Sequence, residues 1–282
     1  MKTLTLTEAW SASTHLLAER LLVLDWDKEL PWHDVAPEEL EKEKHLLPAV
    51  IGLDELSDEQ RQLVQDYLTE KNPPAMLLHS DMSTEALTRR LAQRVVITLS
   101  DGSRALLRFA DPRAFVHMLW VLPVGHFSAL YDGINQWFFP FQEQWRELEF
   151  GKRPEGEWGP LDAQSSNELL NIGLINDTLK ILPASRDLSD LCARGQKIND
   201  WLNYARNQFA LTDQKDCVAF AQHGMCLDTG FTRHRVLAQW LQESVEAPGF
   251  YARQTTPLTD NDWKNIAFEI RRNEQNEQRG GV

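Results

Sequence analysis

Short apolar runs alternate with segments of helical periodicity in the first half of the chain. The runs are rich in branched or apolar residues and are bounded by Asp, Pro, Gly or Ser, which is typical of β-strands. We predict strands at 21–26, 46–53, 75–80, 94–100 and 104–110. Asp101 and Gly102 separate the last two runs. This dipeptide predicts a two-residue hairpin turn, in which both central residues need positive φ.

Two helices fit between these strands, and each can be capped by a serine. Ser57 opens the segment 57–71, and Gln60 follows three positions later as its capping-box partner. Ser83 opens the second segment, 83–94. The order strand, helix, strand, helix and hairpin predicts a mixed sheet with flanking helices rather than a wholly parallel one.

The chain changes character after residue 150. Residues 151–164 are rich in Gly and Pro and have no periodicity, so we predict a linker there. Beyond it the apolar residues follow helical spacing throughout, and Gly224 is predicted to close a helix that Thr212 begins. The predicted fold class is α/β: a mixed-sheet lobe with flanking helices at 1–150, the linker, and an all-helical lobe at 165–282 with a frayed polar tail.

Composition and charge exclude some classes of protein. Hydrophobic residues make up 42% of the 282 positions, which is typical of a globular chain and not of a disordered one. The formal net charge of -13 argues against nucleic acid as a partner, because phosphate binding needs clustered Lys and Arg. Residues 25–70 hold fourteen acids and four bases. This stretch is either a solvated surface or a face that steers a basic partner.

The cysteine count and the N-terminus favour a cytoplasmic protein. Three cysteines, Cys192, Cys217 and Cys226, are an odd number and indicate reduced thiols rather than a disulfide framework. No unbroken apolar region follows Lys2, so no signal peptide is expected. No apolar run approaches the length that spans a bilayer, and we expect no membrane partner.

No catalytic signature is present in the sequence. It contains no nucleophile elbow, glycine-rich phosphate loop or zinc-protease helix motif. Cys217, His223 and Cys226 are the best metal candidates, but a structural zinc site needs a fourth ligand, and none lies close by. Asp25 and Asp27 are an alternative acid–base pair, although they more simply mark the end of a strand. We predict no catalytic residues, no metal and no cofactor.

The segment "LLRFADPRAF" at 106–115 concentrates charge at the end of a predicted strand. Asp111 is a preferred helix N-cap, and Pro112 then occupies the first helical position, where its missing N–H is not needed. Arg108 and Arg113 flank the carboxylate and can hold it by charge-assisted hydrogen bonds. These residues are sufficient to build a strand-to-helix corner, which we favour over an active site.

This segment resembles the "R-F-x-D-P-R" signature of the type VI secretion effector adaptor family, also described as domain-of-unknown-function family 4123. The order of the surrounding segments is similar as well, from "LLPAVIGLDE" and "PAMLLHSD" through "STEALTRRLAQRVVITLSDGSRALLRF" to "GINQWFFP". The resemblance covers 21–150. It makes Arg108, Phe109, Asp111, Pro112 and Arg113 the family motif, as a structural corner or part of an interface.

The resemblance implies a function in binding rather than in catalysis. Members of the family bind a toxic effector and help to load it onto the VgrG spike before secretion. If aromatic residues contact such partners, Trp137, Phe139, Phe141 and Trp145 are the candidates, although we favour the core for most of them because both faces of their strand are apolar. The alternatives are a small α/β enzyme that acts on an anionic substrate through Asp111 and the arginines, and an immunity protein that inhibits a toxin.

Overall fold

The computed structural model describes residues 1–23, 30–69, 73–149, 156–227 and 229–280. The chain divides into two compact units, Met1–Leu169 and Leu170–Val282. Residues 151–155 of the predicted linker lie outside the described residues. Helix α6 (Ala163–Ile181) begins before the division between the units and continues through it.

A seven-stranded sheet forms the centre of the first unit. Its strand order is β1-β9-β8-β5-β2-β4-β3, and β6 and β7 form a separate two-stranded sheet. The strands are β1 (Lys2–Leu4), β2 (His15–Glu19), β3 (His33–Asp34), β4 (Pro48–Gly52), β5 (Ala75–His79), β6 (Val96–Thr98), β7 (Arg104–Leu106), β8 (Gln136–Phe141) and β9 (Gln144–Glu149). The flanking helices are α1 (Leu6–Ser11), α2 (Asp58–Leu68), α3 (Thr84–Ala92), α4 (Pro112–Val121) and α5 (Val124–Leu130).

The predicted fold class, an α/β unit followed by a helical one, is confirmed, but the strand pairing differs from the mixed sheet that we expected. Every pairing among the described strands is antiparallel. Strands β4 and β5, which α2 connects, do run in the same direction. They do not touch each other, because β2 lies between them and is antiparallel to both. The alternation of strand and helix in the sequence therefore comes from the connection through α2, which crosses from β4 to β5 over the inserted strand β2.

The prediction of a strand at 21–26 is wrong where the structure describes it. The strand is β2, which ends at Glu19, and Arg20–Leu22 forms a short 3-10 turn. Residues 24–29 lie outside the described residues. Apolar residues recur on both sides of Glu19 and Arg20, in "HLLAE" and "RLLVL", so that periodicity alone does not show which segment is the strand.

The turn at Asp101-Gly102 differs from the two-residue turn that its sequence predicts. The loop at Asp101-Gly102 has three residues: the Leu99 N–H bonds to the Ser103 carbonyl at 2.8 Å, and only Gly102 has positive φ, at 83°. This is a turn with a glycine bulge rather than the predicted two-residue turn. The two-residue turn with positive φ at both positions joins β8 to β9, at Gln142 (51°) and Glu143 (63°).

The seven-stranded sheet is covered by helices on both faces. Leu16, Ile51, Leu77 and Phe138 belong to the core cluster on one face, which also includes Val64 of α2. Trp137 and Phe139 point to the opposite face, where Phe115 of α4 stacks on Trp137 with ring centroids 4.9 Å apart. The apolar residues on both faces of β8 are therefore explained by a sheet buried on both sides.

The second unit consists of helices, as predicted. They are α6, α7 (Leu188–Phe209), α8 (Gln214–Leu227), α9 (Arg235–Glu246), α10 (Phe250–Thr255) and α11 (Asp260–Gly280). The predicted caps of α8 are wrong at both ends. Asp213 caps its N-terminus, with its carboxylate accepting from the Lys215 N–H at 2.9 Å, and the helix continues past Gly224 to Leu227. No helix in the described ranges combines the length and apolarity needed to cross a membrane.

Candidate functional site

The motif at 108–113 forms a strand-to-helix corner, as the sequence predicts. Strand β7 ends at Leu106, earlier than the predicted end at 110, and a tight turn follows in which the Asp111 N–H bonds to the Arg108 carbonyl at 3.2 Å. Asp111 is the N-cap of α4 and Pro112 its first residue. The turn directs Arg108 outward and buries Phe109 completely.

Both motif arginines bind the buried Asp111 carboxylate. Arg113 approaches it as a fork, with Nε 3.0 Å from Oδ1 and Nη2 3.0 Å from Oδ2, and the Arg113 backbone N–H donates to Oδ1 at 3.0 Å. Arg108 Nη2 lies 3.1 Å from Oδ2. The carboxylate side chain is 4% exposed, whereas each arginine is more than half exposed. The motif therefore satisfies its own buried charge, which is the condition for keeping an ionised group in the interior.

A second carboxyl group, Glu19 at the end of β2, lies beside the corner and was not predicted from the sequence. It is 4% exposed, and Oε1 has no hydrogen-bond partner within the described ranges. Burial raises the pKa of Glu19 to about 7, with a further rise from Asp111, against the opposing effect of Arg108 and a hydrogen bond from the Ala110 backbone. The group is thus partly protonated near neutral pH. The only signal in the sequence is one acid within an apolar run.

We expect Glu19→Gln to flatten the pH dependence of stability between about pH 5 and pH 8. The folded state holds the Glu19 proton more tightly than the unfolded chain. Its stabilising contribution is therefore complete below the ordinary pKa of 4.5 and is lost as the pH rises through about 7. The rise in the pKa of Glu19 from 4.5 to about 7 corresponds to on the order of 3 kcal/mol of stability, since one pKa unit is about 1.4 kcal/mol. Gln cannot ionise, so the variant should gain stability relative to wild type at the upper pH.

The measurement for Glu19 is urea unfolding at pH 5.5 and pH 8 for the wild type, Glu19→Gln and a control. The control is Glu59→Gln, because Glu59 is an exposed glutamate in α2 of the same unit. It should leave the pH dependence unchanged. If wild type and Glu19→Gln lose stability equally over this range, the carboxyl does not titrate there.

The structure buries all four aromatic residues that we considered as partner contacts. Trp137 and Phe139 are fully buried, Trp145 is 4% exposed and Phe141 is 9% exposed. The Trp137 indole N–H donates to the Met76 sulfur at 2.7 Å. In this structure they form the core of the sheet unit and present little surface to a partner.

A polar pocket of roughly 550 Å³ lies at the opposite end of β2, around His15. The Glu55 carboxylate forms one wall, accepting from the Thr84 hydroxyl at 2.5 Å and contacting His33 Nε2 at 2.9 Å. A Cβ at position 52 would lie 2.4 Å from both the Glu55 and Thr84 oxygens, so a side chain there would displace these two groups.

His15 forms a hydrogen bond with the residue that precedes it in the chain. Its Nδ1 lies 2.7 Å from the Thr14 hydroxyl oxygen, which also accepts from the Ser80 N–H at 2.9 Å. Burial lowers the pKa of His15, and Asp54 and Glu55 oppose this effect. These bonds connect β2 to the end of β5, and the sequence analysis did not predict them.

The candidate metal ligands are not brought together. Cys217 is buried with its thiol 3.6 Å from the Leu211 carbonyl, His223 Nδ1 lies 2.7 Å from the Tyr251 hydroxyl, and Cys226 is exposed. Within the described ranges, no group of three or more His, Cys, Asp or Glu side chains is placed to hold a metal ion. Asp25 and Asp27 lie outside the described residues.

The fold and the corner define an α/β sheet protein with an appended helical unit, in which a charged motif anchors a helix to the sheet. Residues 18–128 match the model of the family described as Domain of unknown function (DUF4123). The matched part is less than half of the chain and contains Glu19, β4 to β7 and the corner. It supports the resemblance to this family of unknown function, over a shorter range than the predicted 21–150. No curated protein and no solved structure matches the chain.

Proposed function

We propose that the protein is a cytoplasmic adaptor of a type VI secretion system, which binds a toxic effector and helps to load it onto the VgrG spike. The observation that carries the proposal is the match of residues 18–128 to the DUF4123 family model, with the R-F-x-D-P-R motif inside the matched range. The adaptor role itself is what the resemblance to the effector adaptor family implies.

The geometry of the corner supports a binding protein over an enzyme. Arg108 and Arg113 are both engaged by Asp111, and the carboxylate is closed off from solvent. An active site for an anionic substrate would need a base or nucleophile beside the arginines. Glu19, the acid beside this corner, is as buried as Asp111. The corner instead fixes the start of α4, the helix that covers one face of the sheet.

The test is a pull-down of the tagged full-length protein from its native host, with mass spectrometry of the proteins that remain bound. We expect a VgrG-type spike together with one toxin-like protein. Deleting the gene for the adaptor should then abolish export of that toxin while leaving its synthesis intact. An untagged strain is the control for non-specific capture.

Other outcomes would reject the proposal in favour of the alternatives. Recovery of the toxin alone, with protection of cells that express this chain, would identify an inhibitor. Recovery of neither partner, together with turnover of an anionic compound that Arg108→Ala abolishes in a folded protein, would identify an enzyme. Arg108 is suited to this comparison because its side chain is 51% exposed.

A further inference from the structure

An apolar groove of roughly 290 Å³ lies on the surface of the first unit, between β7 and the 3-10 segment Glu38–Leu46. Leu46 and Leu106 line it and are 40% and 52% exposed. Val96 lies directly opposite Leu106 in the hairpin and extends the apolar floor. Exposed leucines that converge on a groove are a common feature of protein-binding surfaces.

The groove follows an open strand edge. Strand β7 pairs only with β6 among the described strands. The Leu107 N–H bonds to the Val95 carbonyl and the Leu99 N–H to the Ser103 carbonyl, so the alternation of an antiparallel ladder leaves Arg104 and Leu106 at the non-hydrogen-bonded positions. Their backbone N–H and C=O groups point away from β6 and are available to another strand. Consecutive residues from both faces of β7 line the groove, as expected if it runs along the edge.

The rim of the groove is acidic. Glu43 lines it, and the segment Glu38–Leu46 contributes four glutamates against two lysines. Arg104 is held by Glu39 at 2.6 Å, and Lys44 by Glu41 at 2.7 Å. Glu38 and Glu43 form no ion pair with any described residue, and so they are available to a basic partner. A second copy of this chain, with its net charge of -13, is a poor occupant because the two copies would repel each other.

We propose that an extended segment of a partner protein binds here as a third strand on β7. Its apolar side chains, at alternate positions, enter the groove between Leu46 and Leu106. A flanking Lys or Arg lies beside Glu43. Backbone hydrogen bonds to the Arg104 and Leu106 edge contribute affinity, and the groove and its acidic rim select the side chains. The inference rests on the proposed function in taking the partner to be a protein cargo or spike.

The test uses a fluorescent peptide, Lys-Val-Thr-Leu-Thr-Val-Lys, titrated with the full-length protein and followed by anisotropy. We expect saturable binding that Leu106→Glu weakens by about tenfold or more, as for the loss of a central apolar contact. Leu46→Glu should have a similar effect through a different segment. The matched control is Leu170→Glu, because Leu170 is 61% exposed and lies in the second unit. It should bind the peptide as the wild type does.

Three modified peptides test the binding mode. Replacing both lysines by glutamates should weaken binding, and the difference should shrink at high salt. N-methylation of one alternate set of peptide amides should abolish binding, whereas methylation of the other set should be tolerated, because only one set faces β7. Absence of saturable binding, or equal binding by both methylated peptides, would overturn the proposal. So would a concentration-dependent dimer that Leu106→Glu dissolves, since the occupant would then be a second copy.

The pull-down described above separates this inference from the proposed function. If the captured partner remains bound to the Leu106→Glu variant, the groove is not its site, although the adaptor function stands. If no partner is captured, the adaptor function fails, and the peptide titration still decides whether β7 accepts a strand.

Discussion

Trp137→Ala should lower the free energy of unfolding of the first unit by about 3–5 kcal/mol, the range for removing a large buried aromatic side chain. The indole is fully buried and stacks on Phe115 of α4 at 4.9 Å. Tyr131 lies 4.8 Å away, and the motif residue Phe109 meets its edge at 6.4 Å. Rings from α4, from the C-cap of α5 and from the corner therefore pack on one side chain, and alanine would leave a cavity among rigid rings that cannot close it.

Hydrogen exchange at increasing urea concentrations would measure this effect separately in each unit. Peptides from β5 and β8 should lose protection in Trp137→Ala, whereas peptides from α7 should not change. Trp137→Phe is the matched control, because it keeps a ring in the stack and loses the indole N–H that contacts Met76. A loss below about 1 kcal/mol for the alanine variant would contradict a rigid aromatic core.

The second large effect is expected from Gly224→Ala in the helical unit. A Cβ at this position would lie 2.3 Å from Cδ2 and 2.5 Å from Cε2 of Trp201, so the indole ring would have to move. Overpacking of this kind costs about 1–3 kcal/mol or more, which exceeds the gain of about 1 kcal/mol that alanine normally brings to a helix. The variant should therefore be destabilised although the substitution improves helix propensity.

Gly173→Ala should have the opposite effect on stability in the same unit. Gly173 lies within α6, and a Cβ there would meet no atom within 4 Å. It should stabilise the protein by about 0.5–1 kcal/mol. Thermal unfolding of the two variants side by side measures the difference. If both substitutions shift the melting temperature in the same direction, the contact between Gly224 and Trp201 does not determine the result.

Local signals in the sequence predicted local structure well. Asp111 and Pro112 define a corner through bonds within three residues, and Ser57 and Gln60 form the predicted capping box. Gly224 shows where such reasoning fails. A glycine near the end of a helical pattern usually marks its C-terminus, but here the missing side chain accommodates a ring from a different helix. The reason lies in a contact between residues distant in sequence.

In the candidate site, too, the local contacts were predicted and the contacts between distant residues were not. The arginine–aspartate part of the corner is continuous in sequence and was predicted. Glu19 was not, because it reaches the corner only when β2 is placed in the sheet, and its pKa depends on burial by that arrangement. The groove beside β7 likewise joins two segments that are about sixty residues apart, and the acidic composition of one of them does not show that it lies beside the other.

The position of β2 has a consequence for how the protein is divided in the laboratory. A piece cut at the limits of the family match, 18–128, would keep only the last two residues of β2 and would lack β1, β8 and β9. Strand β5 would then have lost β8 and most of β2, and β4 would have β3 as its only intact neighbour. A fragment meant to fold as the first unit must include β1 from Lys2 onward and extend beyond Glu149, wider than the family boundaries suggest.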